Sequence, residues 1–193
     1  MRLSICIATI PERVEQFEAL VDFLAYDEHE GVELVTDARP RGTISIGAKR
    51  QAMNEAAVGE YVVHLDDDDW VAHGYVGIIL AALESSPDCV GHYELVEGLA
   101  KVPQIGKWTK DVPAWEQGPR ARMRHQVDYL RTPFHKTPIK RAHALAVGFK
   151  DMGHGEDHDF SKRLQAARLC RTEVFIPRVL YFYRTDNLPK QYQ

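Results

Sequence analysis

Four strand-length apolar runs, separated by helix-patterned segments, most limit what this chain can fold into. Residues 3–8 (LSICIA), 32–35, 61–65 and 89–96 are rich in β-branched and other apolar side chains. Near-continuous apolarity of this kind belongs to strands covered on both faces, as in a parallel sheet. Residues 12–25 carry Val14, Phe17, Leu20, Val21 and Leu24, with Pro11 ahead of them. Spacings of three and four after a proline predict an amphipathic helix. Residues 46–57 and 74–83 predict two more, stopped near Gly59 and at Ser85-Ser86-Pro87. Alternation of this type predicts an α/β layered fold, with a mixed, mostly parallel sheet flanked by helices. A chain of 193 residues fits one domain with one core.

The pattern weakens after Gly98. Residues 99–124 hold Pro, Gly, Trp and basic residues without periodicity, and read as a long functional loop with room for an antiparallel excursion. Residues 139–146 and 157–167 predict helices, 174–176 and 179–183 short strands, and 186–193 a polar tail. The domain therefore divides into a regular first half (1–98) and a less regular second half (99–185). Hydrophobic residues at 45% and charged residues at 27% exclude disorder. No apolar run is long enough to span a bilayer, and no leader pattern opens the chain. Cys6, Cys89 and Cys170 lack paired spacing, which excludes a disulfide framework or zinc knuckle and suits a reducing, cytoplasmic setting.

The run Leu65-Asp66-Asp67-Asp68-Asp69-Trp70 ends a predicted strand, where open α/β sheets bind their ligands. Adjacent carboxylates repel one another and favour a cation. Asp66 and Asp68 point the same way if the backbone stays extended, and oxygen-only ligation suits magnesium or manganese shared with substrate phosphates. Helix capping explains one or two such acids but not four. A second acidic group, Glu156, Asp157 and Asp159, opens the helix that follows Gly153-His154-Gly155. Dipole compensation accounts for Asp159. Together with the aspartate run, another of these carboxylates reads as a general base.

The ordered set of motifs resembles the inverting glycosyltransferases of family 2, which have the GT-A fold. SICIATIPER looks like the first strand and nucleotide-contacting turn; IGAKRQAMNEA like the helix before the metal strand; YVVHLDDDDW like the DxD signature; VGF-x5-GEDHDFSKRL like the late Glu-Asp signature; and IPRVLYFYR like the closing strand. These pieces cover about 3–98 and 138–185. The resemblance implies a nucleotide-sugar donor, most often a UDP-sugar, contacted by Thr9, Pro11, Glu12, Arg13, Asp37, Lys49, Arg50, Asp66 and Asp67. It implies Mn2+ or Mg2+ on Asp66 and Asp68, with the register of the four acids open by one. It implies Asp157 as base, Glu156 beside it, and a single displacement with inversion. The Gln-x-x-Arg-Trp signature of processive members is missing, so non-processive transfer is expected.

The net charge of −4 hides a split: ten Lys/Arg against three acids put 101–141 at +7 and the rest at −11. Such a segment attracts anions. Trp108, Trp115, Arg122, Arg124, His135 and His154 are the candidate acceptor residues, weighed against a solvated basic loop with its tryptophans in the core. Phospholipid, phosphorylated glycan and DNA with hydroxymethylated bases all fit, the last as a nucleic-acid partner. Two other readings stand beside the transferase. A sugar nucleotidyltransferase would carry a Gly-rich basic loop where AlaThrIleProGluArg stands. A non-catalytic nucleotide-sugar-binding module would lose the acid at Asp68 or Asp157. A P-loop is absent.

Overall fold

The computed structural model describes residues 1–96, 104–112, 116–117, 123 and 126–183. Its elements run β1 (Leu3–Ala8), α1 (Val14–Leu24), β2 (Val32–Asp37), α2 (Ile46–Ala56), β3 (Tyr61–Asp66), β4 (Trp70–Val71), α3 (Tyr75–Leu83), β5 (Cys89–Val96), β6 (Gln104–Trp108), β7 (Glu116–Gln117), β8 (Tyr129–Arg131), β9 (Ile139–Lys140), α4 (Arg141–Val147), α5 (Glu156–Ala166) and β10 (Glu173–Tyr183). The described strands form one sheet in the order β2-β1-β3-β9-β5-β6-β8-β7, with β10 paired to β5 and β4. β1 lies parallel to both β2 and β3, so Ala8, Asp37 and Asp66 end side by side.

Burial explains these choices. β1 and β3 are covered on both faces: Leu3, Ile5, Ile7, Val63 and Leu65 are buried against Leu20 and Leu24 of α1 and Ile79 and Leu83 of α3. On the other face, Val62, Cys89 and Ile139 join Phe149 and Phe160, whose rings stack at 4.2 Å. Cys6 is wholly buried, and burial pushes its thiol up to about 12, so it is a core residue.

Several expectations change at element ends. The helix over 12–25 opens as a 3-10 turn, Pro11–Arg13, and becomes α-helical at Val14. Residues 139–146 are not one helix, because Ile139 and Lys140 first pair with β3. The two late strands are one, Glu173–Tyr183, bulged between Ile176 and Val179 and again before Tyr181. Pro177 supplies no N–H to a ladder, which is why the sequence reads as broken there. The irregular middle does make an antiparallel excursion, β6 against β5. The tail at 186–193 lies outside the described residues. No helix among the described residues is long and apolar enough to cross a membrane.

Candidate active site

A cavity of about 720 Å³ opens at the carboxyl ends of β1 and β3, lined by Thr9, Arg13, Lys49, Arg50, Asp66 and Asp68 among others. The sheet brings Thr9 and Asp66 there, and α2 supplies Lys49 and Arg50 from its second turn. Ser45 caps α2, its Oγ accepting the Ala48 N–H at 3.0 Å. Gly47 lets the loop before α5 close over the cavity. A Cβ there would stand 1.9 Å from the Lys150 carbonyl oxygen, and the Gly47 N–H instead donates to Met152 at 3.1 Å. Gly153 of that loop reaches the cavity wall.

The acidic run does not stay extended. The Asp69 N–H donates to the Asp66 carbonyl at 3.2 Å, closing a turn. The turn sorts the four carboxylates. Asp67 and Asp69 are buried, Asp69 away from the cavity, whereas Asp66, Asp67 and Asp68 contribute to its lining. Each acid meets a cation. Arg13 Nη1 lies 2.7 Å from Asp67 and 3.0 Å from Asp68, and Thr9 Oγ1 donates to Asp67 at 2.8 Å. Arg50 Nη2 lies 2.9 Å from Asp66. The buried ammonium of Lys136 lies 3.0 Å from Asp66 and 2.7 Å from Asp69. The Tyr181 hydroxyl donates to Asp69 at 2.6 Å and accepts the Asp66 N–H at 3.2 Å. Burial would raise the Asp66 carboxyl, but Lys136, Arg50 and His135 hold it well below the usual range.

Asp157 stands at the start of α5, after Gly155 in the left-handed region (φ 77°). Arg131 Nη2 lies 2.6 Å from its Oδ2, and the His158 N–H donates to its Oδ1 at 2.7 Å. Burial opposes ionisation here too, yet the His135 ring and Arg131 keep the carboxyl well below its ordinary value. Glu156 is buried and faces Arg50 Nε at 3.3 Å, so it orients the guanidinium that holds Asp66. His135 is 5% exposed, with Nε2 3.6 Å from Asp66 and Nδ1 3.9 Å from Asp157. Burial lowers its imidazole to about 3, which leaves it neutral.

Not every expected residue reaches the cavity. Pro11 and Glu12 are exposed on the 3-10 turn and, among the described residues, are not part of the lining. Asp37 is buried against Arg39, whose Nε approaches both carboxylate oxygens at 3.0 Å. Lys49 is spent partly on backbone, donating to the Thr9 carbonyl at 2.8 Å. Trp108 corrects the acceptor expectation: it is wholly buried, packed on His92, Phe134 and Tyr181, and presents no platform. His135 likewise faces the two acids rather than an acceptor surface. His154 is exposed on the loop before α5. Trp115, Arg122 and Arg124 lie outside the described residues. Sequence reasoning missed Arg131, Lys136 and Tyr181. The first two look like any other cation of the basic segment, and Tyr181 like a core strand residue.

Among the described residues no group of three His, Cys, Asp or Glu side chains is placed to hold a metal ion. Magnesium and manganese need fewer, since one or two carboxylates and the substrate phosphates suffice. Asp68 fits that demand: its side chain is 34% exposed, and one of its oxygens meets Arg13. Asp66 fits less well, because Arg50 and Lys136 engage both of its oxygens.

The sheet order and the cavity at its carboxyl edge are those of a known class of fold. The chain has a GT-A-like fold. No family model matches the sequence, and no curated protein does. Solved structures do. S. aureus TarS 1-349 in complex with UDP-GlcNAc aligns at a TM-score of 0.70 and 14% identity, over 98% of this chain and 60% of that one. The same fragment in complex with UDP gives 0.68 and 14%, over 94% and 60%. A further TarS structure gives 0.69 and 14%, over 96% and 37%. The chain thus spans about 60% of the TarS fragment and little over a third of that further TarS chain.

Proposed function

We propose that this chain transfers a sugar from a nucleotide-sugar, with a UDP-sugar as donor, to an acceptor hydroxyl. The observation that carries this reading is a cavity-side group of acids with a further ionised acid close behind it. Asp66 and Asp68, with Arg13 and Lys49, line a cavity at the carboxyl edge of a parallel sheet, and the ionised Asp157 stands within reach of the same His135 that faces Asp66. TarS, with the same fold, binds UDP and UDP-GlcNAc in its crystals.

In this reading the donor diphosphate lies along Arg13 and the Asp68 turn. Mn2+ or Mg2+ would be held by Asp68, with Asp66 beside it, and would supply charge neutralisation for the leaving nucleotide. Asp157 takes the proton of the acceptor hydroxyl, whose oxygen attacks the anomeric carbon from the face opposite the leaving group. One displacement inverts that carbon and leaves no sugar on the enzyme. Arg131 orients Asp157 for this, and Glu156 acts through Arg50. The basic segment at 101–141 supports an anionic acceptor, among which hydroxymethylated DNA, phospholipid and phosphorylated glycan remain the candidates.

The test is release of nucleotide from UDP-, GDP- and dTDP-sugars by the pure protein with manganese, alongside Asp68→Ala and Asp157→Ala. The expected result is slow hydrolysis of one UDP-sugar, lost in both variants. A protein that neither binds nor hydrolyses any nucleotide-sugar would refute the proposal.

A further inference from the structure

The three cysteines, without paired spacing in the sequence, are not equally alone in the fold. Cys6 is wholly buried in β1. Cys89 and Cys170, far apart in the chain, come together, and the cause is local. α5 ends at Ala166, and Arg168 takes a left-handed conformation (φ 51°) that turns the chain back. Leu169 and Cys170 then pack against the small core that contains Cys89. The next two residues are clamped. The Arg171 and Thr172 N–H groups both donate to Asp88 Oδ2 at 2.9 Å. The Thr172 carbonyl accepts the Asp88 N–H at 3.1 Å and the Cys89 N–H at 3.3 Å. This clamp sets Cys170 beside the first residue of β5, with its thiol in contact with that of Cys89. Both are free thiols. Their surroundings differ. Cys89 is wholly buried, and its contact with Cys170, together with burial, pushes its thiol well up. Cys170 is half-buried and lines a second cavity, of about 290 Å³, between the end of α5 and Thr132-Pro133. Lys110, Arg168 and Arg171 line the same cavity against one acid, Asp111. Asp111 engages Lys110 at 2.6 Å, whereas the Arg168 and Arg171 guanidiniums make no ion pair among the described residues.

We propose that Cys170 and Cys89 form a thiol–disulfide exchange site, which takes an anionic small-molecule disulfide such as glutathione disulfide and closes to an internal Cys89–Cys170 bond. The site stands apart from the transferase reading and holds whatever the chain transfers. The Cys170 sulfur, as thiolate, attacks one sulfur of glutathione disulfide. A bond forms between them, the original S–S bond breaks, and one glutathione leaves with the proton that Cys170 gave up. The Cys89 sulfur then attacks the Cys170 sulfur of the mixed disulfide. The bond to glutathione breaks, and the second glutathione leaves with the Cys89 proton. Two protein thiols lose two electrons and two protons, and one disulfide gains them as two thiols, so the exchange balances. Access sets the order, since of the two sulfurs it is Cys170 that lines the cavity and Cys89 that waits behind it. Charge sets the oxidant. Glutathione disulfide carries several carboxylates, and Arg168 and Arg171 offer guanidiniums to receive them. The new bond ties the turn after α5 to the start of β5, the joint that Asp88 holds by hydrogen bonds.

The experiment incubates the folded protein with glutathione disulfide, or with the neutral 2-hydroxyethyl disulfide, without denaturant. Remaining thiols are alkylated, and the products are read by intact mass and peptide mapping for the wild type, Cys89→Ser, Cys170→Ser and Arg168→Glu. The expected wild-type product is a Cys89–Cys170 cross-link that dithiothreitol reverses, with Cys6 still reduced. Cys89→Ser should stop with one glutathione on Cys170, and Cys170→Ser should take up none over the same time. Arg168→Glu should lower the rate with glutathione disulfide about tenfold relative to the rate with the neutral reagent, as lost electrostatic attraction does. Should a serine variant not fold, the wild-type map decides alone. A wild type that keeps all its thiols overturns the proposal. So does a cross-link to Cys6, or a Cys170→Ser variant that takes up glutathione as fast as the wild type. An Arg168→Glu variant with the same preference between the two reagents as the wild type overturns the assignment of an anionic oxidant.

Discussion

Two carboxylate clusters lie at opposite ends of the sheet, and they are built differently. At the amino end of β5, Asp88 accepts five hydrogen bonds. Oδ1 takes Lys140 Nζ at 2.9 Å and His143 Nε2 at 3.2 Å; Oδ2 takes the N–H groups of Arg171 and Thr172 at 2.9 Å and Thr172 Oγ1 at 3.1 Å. At the carboxyl end of β3, the aspartate turn is met by Arg13, Arg50 and Lys136, yet polar atoms are left over. Arg50 Nη1 and both nitrogens of His135 are buried without a hydrogen-bond partner. The first cluster is complete and ties α4 and β10 to β5. The second is incomplete beside a cavity. Charge density alone does not separate a structural acid from a working one; unused hydrogen-bonding capacity next to open space does.

The sharpest way to break this contrast is to neutralise one acid at each end. Asp157→Asn should lower donor hydrolysis about 10²- to 10⁴-fold, the range of a lost general base, while Asp88→Asn should leave turnover per folded molecule unchanged; steady-state rates on matched samples decide it. Asp88→Asn should instead cost about 2–3 kcal/mol of stability, since it weakens a buried charge-assisted network, and Asp157→Asn should cost less than half of that; urea denaturation measures both. The smallest effect is in pH dependence, where Asp88 and Glu94 should differ in sign. Burial would raise Asp88, but Lys140 and the Thr172 N–H outweigh it and hold the carboxyl well below its usual range. Its contribution is thus full above about pH 4 and is lost as the pH falls further. Near the aspartate turn, burial pushes Glu94 up to about 7, opposed by Lys136 and Tyr129. Its contribution is full in acid and is lost as the pH rises through about 7. Thermal melts across pH should therefore show a smaller acid decline in Asp88→Asn and a smaller decline toward pH 8 in Glu94→Gln.

The same contrast marks what the sequence made legible. β1, β3, β5, α2 and α3 could be read within a residue or two, because local periodicity reports which faces are buried. So could the position of Asp66 and Asp68 at the cavity, because like charges packed at the end of a predicted strand are costly without a purpose. β7, β8 and β9 could not, since two or three residues carry no period. The counter-ions of the aspartate turn could not be read either. Lys136 reaches Asp69 from 67 positions away, and nothing local distinguishes a lysine that will be buried from one that will be solvated. The extended geometry assumed for Asp66 and Asp68 failed because a turn hydrogen bond outweighed strand continuation, although both acids still reach the cavity. Trp108 was misread because an aromatic among cations looks like a binding platform until its neighbours across the sheet are known.

β10 has a consequence for how the protein is made. The Tyr181 hydroxyl holds both the Asp66 N–H and the Asp69 carboxylate, across separations of 115 and 112 residues. A ribosome delivers the aspartate turn long before it delivers that tyrosine. The nascent chain can lay β1, β2 and β3 together early, since their pairings are near in sequence, but the Asp66 N–H and the Asp69 carboxylate lack their tyrosine until the closing strand has emerged and docked between β5 and β4. Activity should thus appear as the final event of synthesis, and a chain released short of Tyr181 should keep much of its donor-side sheet yet have no working centre.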